Sequence, residues 1–128
     1  MKNLLLVVLF LLWSAPVFGA EPQVAEGVIT TEIVERAPVD SVQTYPANVD
    51  KIYCFTRLVG AEEDTTVTHV WYYGGEEMSR MTLPVRSSDW RTWSSKNILP
   101  EWTGDWRVEV LSAEGKLLMT LPFVLTRS

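Results

Sequence analysis

Residues 65–85, TTVTHVWYYGGEEMSRMTLPV, decide the fold class. The first half of this stretch is dense in β-branched and aromatic residues, which favour strands. Gly74 and Gly75 follow, and two glycines supply the positive φ angles that a type I′ turn needs. The stretch therefore predicts a β-hairpin with one strand at Thr65–Tyr73 and a second at Glu76–Val85.

Other β-rich segments flank this hairpin, and no segment has a convincing helical pattern. The sixth strand opens at Gly104, and in it Trp106, Val108 and Val110 alternate with charged residues, which is typical of a half-buried strand. The remaining strands are predicted at residues 28–36, 52–59, 90–95 and 117–126.

Seven strands predict a single antiparallel β-sandwich of the immunoglobulin or fibronectin type III kind. The hairpin of residues 65–85 and the hairpin formed by the sixth and seventh strands are expected to share one sheet. The first, second and fifth strands are expected to form the other. A small closed β-barrel is the alternative, because alternation with a period of two does not distinguish closure from stacking.

Residues 1–20 are predicted to be a secretory signal peptide. Lys2 precedes an apolar run, and small residues follow it, with Gly19 and Ala20 equally suited to cleavage. The run is shorter than the roughly 20 apolar residues of a membrane span, so we expect no stable span in the mature chain. Residues 21–27 are expected to be a flexible lead, residues 28–128 the folded domain, and the protein to be exported, periplasmic or extracellular.

Charge and cysteine content narrow the function classes. The net charge is −5, and without Lys2 there are 10 cations against 16 carboxylates. Nucleic-acid binding depends on a surplus of cations, so it is not expected. Cys54 is the only cysteine, which excludes an intrachain disulfide, and its apolar surroundings predict a small buried side chain.

No motif in the sequence carries a known chemistry. His69 is the only histidine, and no metal-ligand spacing, phosphate loop or nucleophile elbow is present. A dyad of Cys54 and His69 on consecutive strands lacks an orienting group. We therefore assign no catalytic residue, metal site or cofactor.

The predicted hairpin leaves the identity of its buried face open. A two-residue turn at Gly74 and Gly75 sets the expected cross-strand pairs as Tyr73 with Glu76, Trp71 with Met78, and His69 with Arg80. In one assignment Trp71 points into the core and Tyr72 lies outside. In the other, Val70, Met81 and Leu83 form the core, and an exposed strip consists of His69, Trp71, Tyr73 and Arg80.

The second and fifth strands pose a related question. If Ile52, Cys54 and Leu58 point inward, the outward side chains are Tyr53, Phe55 and Arg57. Such aromatics beside arginine are typical of interface centres, but the connection of residues 37–50 could equally cover them. Trp90 and Trp93 are expected on opposite faces. Three cations could form a strip or pair with carboxylates, namely Arg86, Arg91 and Lys96.

Four segments resemble one exported bacterial family, the domain of unknown function 2914: YCFTR, THVWYYG, WRTWSSK and GDWRVEV. The resemblance extends over about residues 30–125. It implies export and a compact fold, and it assigns no catalytic or ligand residue.

We expect a non-catalytic binding or interaction module of the bacterial cell envelope, whose partner is a protein or an envelope glycan. One alternative is an enzyme or enzyme accessory with a site built from arginine and carboxylates. Another is a structural or assembly subunit that pairs through a sheet edge. The candidate binding residues are His69, Trp71, Tyr73, Arg80, Arg91 and Trp93.

Overall fold

The computed structural model describes residues 21–127, so the predicted signal peptide lies outside the described residues. This part of the chain is built of strands, with one 3-10 turn at Ala47–Val49. The strands are β1 (Gln23–Thr30), β2 (Ile33–Val34), β3 (Ala37–Pro38), β4 (Thr44–Pro46), β5 (Lys51–Val59), β6 (Thr65–Tyr73), β7 (Glu76–Val85), β8 (Asp89–Asn97), β9 (Gly104–Ser112) and β10 (Leu117–Thr126).

Two sheets make up the body of the domain. One has the order β1-β5-β8 and the other the order β4-β10-β9-β6-β7, in which the pair β4 and β10 is parallel. Neither sheet closes on itself, so the predicted β-sandwich is confirmed and the barrel alternative is wrong. The division of the strands between the sheets is the predicted one. Within residues 21–127, no helix has the length and apolar character that a membrane crossing requires.

The first strand lies earlier in the chain than predicted. β1 begins at Gln23, so most of the expected flexible lead is paired with β5. A register shift between Val24 and Glu26 interrupts this pairing. The sequence pattern misleads here because an edge strand with a bulge exposes polar residues, so that it lacks clean alternation.

A hairpin follows β1, and its second arm returns along the edge of β1 that does not pair with β5. β2 pairs with β3, and the same register continues outward through Val39 N–H donating to Glu32 O (3.1 Å) and Val42 N–H to Ile29 O (2.9 Å). The chain then crosses to the other sheet, where Val124 N–H donates to Gln43 O (2.8 Å) and β4 begins. The segment that the sequence predicted as a long connection is therefore largely paired.

Hydrogen bonds to Asp40 hold the base of this hairpin together. Its carboxylate accepts hydrogen bonds from the Thr30 hydroxyl (2.6 Å), the Thr31 amide (2.9 Å) and the Thr31 hydroxyl (2.7 Å). Burial alone would raise the pKa of Asp40, but these hydrogen bonds outweigh it and lower the pKa below its ordinary value.

The core consists of two apolar clusters with a polar layer between them. Thr56 separates Cys54 from Leu58 along β5, and His69 separates Val67 from Trp71 along β6. The larger cluster contains Ile29, Ala47, Ile52, Cys54, Trp71, Ile98, Trp106, Val108, Phe123 and Leu125. The smaller contains Leu58, Ala61, Val67, Val85 and Val110. Trp71 therefore points inward, and Cys54 is buried as predicted.

A bulge changes the register of the central hairpin. Tyr73 opposes Glu76 as predicted, but Trp71 opposes Ser79 rather than Met78, and His69 opposes Met81 rather than Arg80. Met78 is the extra residue of β7, and it packs against the larger core cluster. Because strand faces alternate with a period of two, one inserted residue moves Arg80 to the opposite face.

Candidate functional site

The structure divides the six predicted site residues among different environments. Two of them are core residues, with 0% of His69 and 1% of Trp71 exposed. Tyr73 packs at one end of the core, and Arg80 lies on the outside of the five-stranded sheet. Only Arg91 and Trp93 share a surface, which is the outer face of the three-stranded sheet.

His69 links the two sheets through hydroxyl groups. Its Nδ1 lies 2.7 Å from Ser94 Oγ and its Nε2 lies 3.2 Å from Thr56 Oγ1. Thr56 donates to the carbonyl oxygen of Thr92 (3.0 Å), and Trp71 Nε1 donates to Ser94 Oγ (3.1 Å). The Thr56 hydroxyl therefore accepts from Nε2–H, and the Ser94 hydroxyl donates to Nδ1.

This chain of hydrogen bonds suits a neutral imidazole. Protonation of Nδ1 would force the Ser94 hydroxyl to turn its proton away and to accept from both Nδ1–H and Trp71 Nε1–H. Burial lowers the pKa of His69 to about 4, which keeps the ring neutral at ordinary pH. The Ser94–His69 distance would suit a nucleophile and its base, but only 3% of Ser94 is exposed. We interpret the layer as structural.

Tyr73 belongs to an aromatic cluster that closes one end of the core. Its ring stacks on Trp106 with centroids 4.8 Å apart, and its hydroxyl donates to Thr103 O (2.8 Å). Trp102 packs beside both rings, and the ammonium of Lys96 lies 5.4 Å from the centroid of a Trp102 ring. Tyr73 therefore has a packing role at this end of the sandwich.

On the outer face of the five-stranded sheet, cations are matched to carboxylates. Arg80 pairs with Glu77 (2.9 Å), and Arg107 pairs with Glu109 (3.0 Å). Arg107 also lies over the ring of Tyr72, 4.0 Å from its centroid. The hydrogen bond from Arg80 is the main reason why the pKa of Glu77 is lowered.

The outer face of the three-stranded sheet combines aromatic and cationic side chains. The strand register places Val28, Phe55 and Trp93 in one row across the sheet, and the adjacent row contains Arg57 and Arg91. We call this surface the Trp93 face; it consists of Glu26, Val28, Arg36, Tyr53, Phe55, Arg57, Asp89, Arg91 and Trp93.

Trp93 is the centre of contacts on this face. Its ring lies nearly parallel to that of Phe55 (centroids 6.4 Å apart, interplanar angle 18°), and the Arg36 guanidinium lies 5.9 Å from the centroid of a Trp93 ring. Phe55 is buried although it points away from the core, whereas Trp93 remains partly exposed. The outward orientation predicted for Tyr53, Phe55 and Arg57 is confirmed.

The charges of the Trp93 face are incompletely matched. Arg57 forms two hydrogen bonds with Asp89 (2.9 and 2.8 Å), and these lower the pKa of Asp89. Arg91 stands directly opposite Arg57 in the strand register and adds to that effect only through space. Among residues 21–127, neither Arg36 nor Arg91 forms an ion pair.

Sequence reasoning missed Arg36, because its turn contains no glycine to mark it. Glu35 and Arg36 occupy the two turn positions between β2 and β3 with φ angles of 52° and 63°. Left-handed backbone is uncommon for such residues. A one-dimensional pattern gives no signal for this turn.

A separate cleft lies between β1 and β10. Its volume is about 490 Å³. Gly27, Ser41, Trp106 and Phe123 contribute to its wall, and Asp105 is the one titratable residue among those that line it. Within the described range 21–127, no three His, Cys, Asp or Glu side chains lie close enough together to hold a metal ion.

The fold and the site thus define an all-β sandwich with an aromatic and cationic outer face. The family model described as "Protein of unknown function (DUF2914)" matches residues 64–125, which confirms the resemblance over β6–β10. The match includes Arg91 and Trp93, whereas Arg36, Phe55 and Arg57 precede it. Comparison with curated proteins gives no match.

Proposed function

We propose that this protein is an exported, non-catalytic interaction module of the bacterial cell envelope, and that the Trp93 face is its contact surface. The observation that carries the proposal is a partly exposed tryptophan that stacks on Phe55 and contacts Arg36, with Arg91, which forms no ion pair within residues 21–127, two residues away on the same strand. Tryptophan and arginine are enriched among the residues that dominate binding at protein interfaces.

A protein partner fits this surface better than a neutral sugar ring. A sugar stacks on an open aromatic face, but Phe55 and Arg36 both lie against the Trp93 rings. Val28 and Trp93 are partly exposed on either side of the buried Phe55 and give an apolar centre, and the charged row beside them gives a polar rim. This arrangement is typical of a protein interface. Export is supported by the leader pattern of residues 1–20.

Affinity capture from envelope extracts would test the contact surface. We expect Trp93→Ala to abolish retention of a partner that the unchanged domain captures. Tyr72→Ala is the matched control, because Tyr72 is also a half-buried outward aromatic with an arginine over its ring, on the opposite sheet. Circular dichroism would verify that both variants fold. Equal capture by the Trp93 variant and the unchanged domain would contradict the proposal.

Light scattering of the unchanged domain and the Trp93 variant would identify the kind of partner. A monomer over the full concentration range agrees with an interaction module that binds a different molecule. A dimer that disappears in Trp93→Ala would instead make the face a self-assembly surface and would favour the structural subunit.

A further inference from the structure

We infer that the ligand of the Trp93 face is an acidic polypeptide segment whose carboxylates bind Arg36 and Arg91 on two sides of Trp93. This inference rests on the proposed function, because it names the chemistry of the partner for the same surface. It goes further in assigning two specific cations to ligand binding.

The charge distribution is the first argument. The whole chain carries a net charge of −5, yet Arg36 lies over a Trp93 ring and Arg91 lies two residues from Trp93 on the same strand, and neither arginine forms an ion pair within residues 21–127. Arg57 and Arg91 also stand directly opposite each other, although like charges in that position destabilise a sheet. Asp89 already binds Arg57, so an anionic ligand would compensate Arg91 and Arg36, and the surface is electrostatically complementary to acidic groups at these two positions.

The second argument is the backbone that carries Arg36. Two consecutive residues other than glycine, Glu35 and Arg36, are held at positive φ. The Asp40 hydrogen bonds to Thr30 and Thr31 fix the base of the same hairpin. Unfavourable backbone of this kind persists only where surrounding contacts enforce it, and it clusters at functional sites. Here its result is to place a guanidinium over Trp93.

The third argument is the spacing of the surface. Arg91 and Trp93 are two residues apart on one strand, so they point to the same face at about 7 Å from each other. An extended polypeptide presents alternate side chains at the same interval. A segment that alternates acidic and apolar residues could therefore place carboxylates at the arginines and apolar groups against Trp93 and Val28, the partly exposed members of the apolar row. The arginine fork binds carboxylates through paired hydrogen bonds.

The test uses a defined probe, a fluorescein-labelled peptide of alternating Glu and Val residues, and fluorescence anisotropy at low salt. We expect Arg36→Gln and Arg91→Gln each to weaken binding about tenfold, the size of effect that one charged hydrogen-bonded contact produces. Arg80→Gln is the matched control because it removes the same charge from the opposite outer face, and it should change binding less than about twofold.

Three outcomes would overturn the inference. An equal loss in Arg80→Gln would show that only net charge matters. Equal binding of a Lys and Val peptide would remove the charge preference. Binding of a uronic-acid polymer without binding of the Glu peptide would make the ligand a glycan.

Different experimental results would contradict the inference and the proposed function. Suppose that Trp93→Ala abolishes capture from envelope extracts, whereas the double variant of Arg36→Gln and Arg91→Gln captures normally. The interaction surface would then stand, and the acidic ligand would be excluded. If neither change affects capture, the surface itself is excluded.

Discussion

The polar layer inside the core and the Trp93 face outside it differ in how completely their polar side chains are paired. Around His69, hydroxyl, imidazole and indole groups form one continuous set of hydrogen bonds, and no buried side-chain nitrogen or oxygen within residues 21–127 lacks a partner. On the Trp93 face, Arg36 and Arg91 have no carboxylate partner in that part of the chain.

The difference follows from how well water can solvate the two sets of polar groups. A buried polar group without a hydrogen bond costs about 1–3 kcal/mol, so the interior tolerates few of them. At the surface, water solvates an unmatched cation, and folding alone does not require a carboxylate beside it. Folding therefore requires complete matching inside, whereas incomplete matching outside is compatible with folding and leaves cations available to a partner, as proposed for the Trp93 face.

The largest expected effect comes from breaking the interior layer. His69→Ala should lower the free energy of unfolding by about 3–5 kcal/mol, because it opens a cavity and removes one hydrogen-bond partner from each of Thr56 and Ser94. Urea denaturation would measure it. Arg91→Ala is the comparison on the outer face and should change stability by less than about 0.5 kcal/mol. Similar losses in both variants would contradict the contrast.

The second prediction is a dependence of stability on pH. The pKa of His69 is about 4 in the folded protein and ordinarily 6.5, so the unfolded chain binds more protons between these values. The contribution of neutral His69 to the free energy of unfolding should therefore be fully present above pH 6.5. It should decrease by about 3 kcal/mol as the pH falls to 4.

Denaturation curves between pH 7 and pH 4.5 would measure this decline. His69 is the only histidine, so His69→Gln should remove most of the slope in that window. A slope that persists unchanged in the glutamine variant would assign it to other groups.

The third prediction separates stability from binding on the Trp93 face. Replacing the turn with Glu35→Asn and Arg36→Gly should raise stability by about 1 kcal/mol, because these residues accept positive φ more readily. The loss of the Arg36 contact with Trp93 reduces this gain. The same variant should bind the Glu and Val peptide more weakly. Thermal unfolding and anisotropy would measure the two effects, and unchanged binding would contradict the assigned role of Arg36.

The smallest expected effect concerns the opposed arginines. Arg91→Gln should raise stability by about 0.3 kcal/mol at low salt, since it removes the repulsion from Arg57; the attraction to Asp89 that is lost with it keeps the gain small. The gain should disappear at high salt, where exposed charges are screened. Arg80→Gln breaks an ion pair with Glu77 and should have the opposite sign. A loss of stability in the Arg91 variant would show that the pair is not repulsive.

The sequence allowed the sandwich to be predicted because its turns carry strong local signals. Gly74 and Gly75 mark the central reversal, and both have positive φ in the structure. The bulge at Met78 has no such signal, since any residue could be the inserted one. The start of β1 was missed because its pairing with β5 is a long-range property.

The candidate site was predictable only in parts. Alternation along β5 placed Phe55 outward and alternation along β8 placed Trp90 and Trp93 on opposite faces, but the contact between Phe55 and Trp93 depends on the register between two strands far apart in sequence. The hydrogen bonds of His69 to Thr56 and Ser94 depend on the distance between the sheets, which no local pattern encodes. Sequence reasoning therefore grouped His69 and Trp71 with Trp93. In the structure His69 and Trp71 lie in the core on the inner side of the three-stranded sheet, and Trp93 lies on its outer side.

Cys54 makes the opening of this domain measurable without any added label site. It is the only thiol of the chain, it is fully buried, and its burial raises its pKa well above the ordinary value. Thiol reagents attack the thiolate, so modification must wait until the sandwich transiently opens. At maleimide concentrations at which modification outpaces reclosing, the rate of incorporation would give the lifetime of the closed state. An oxidising compartment would leave intact molecules without a disulfide crosslink.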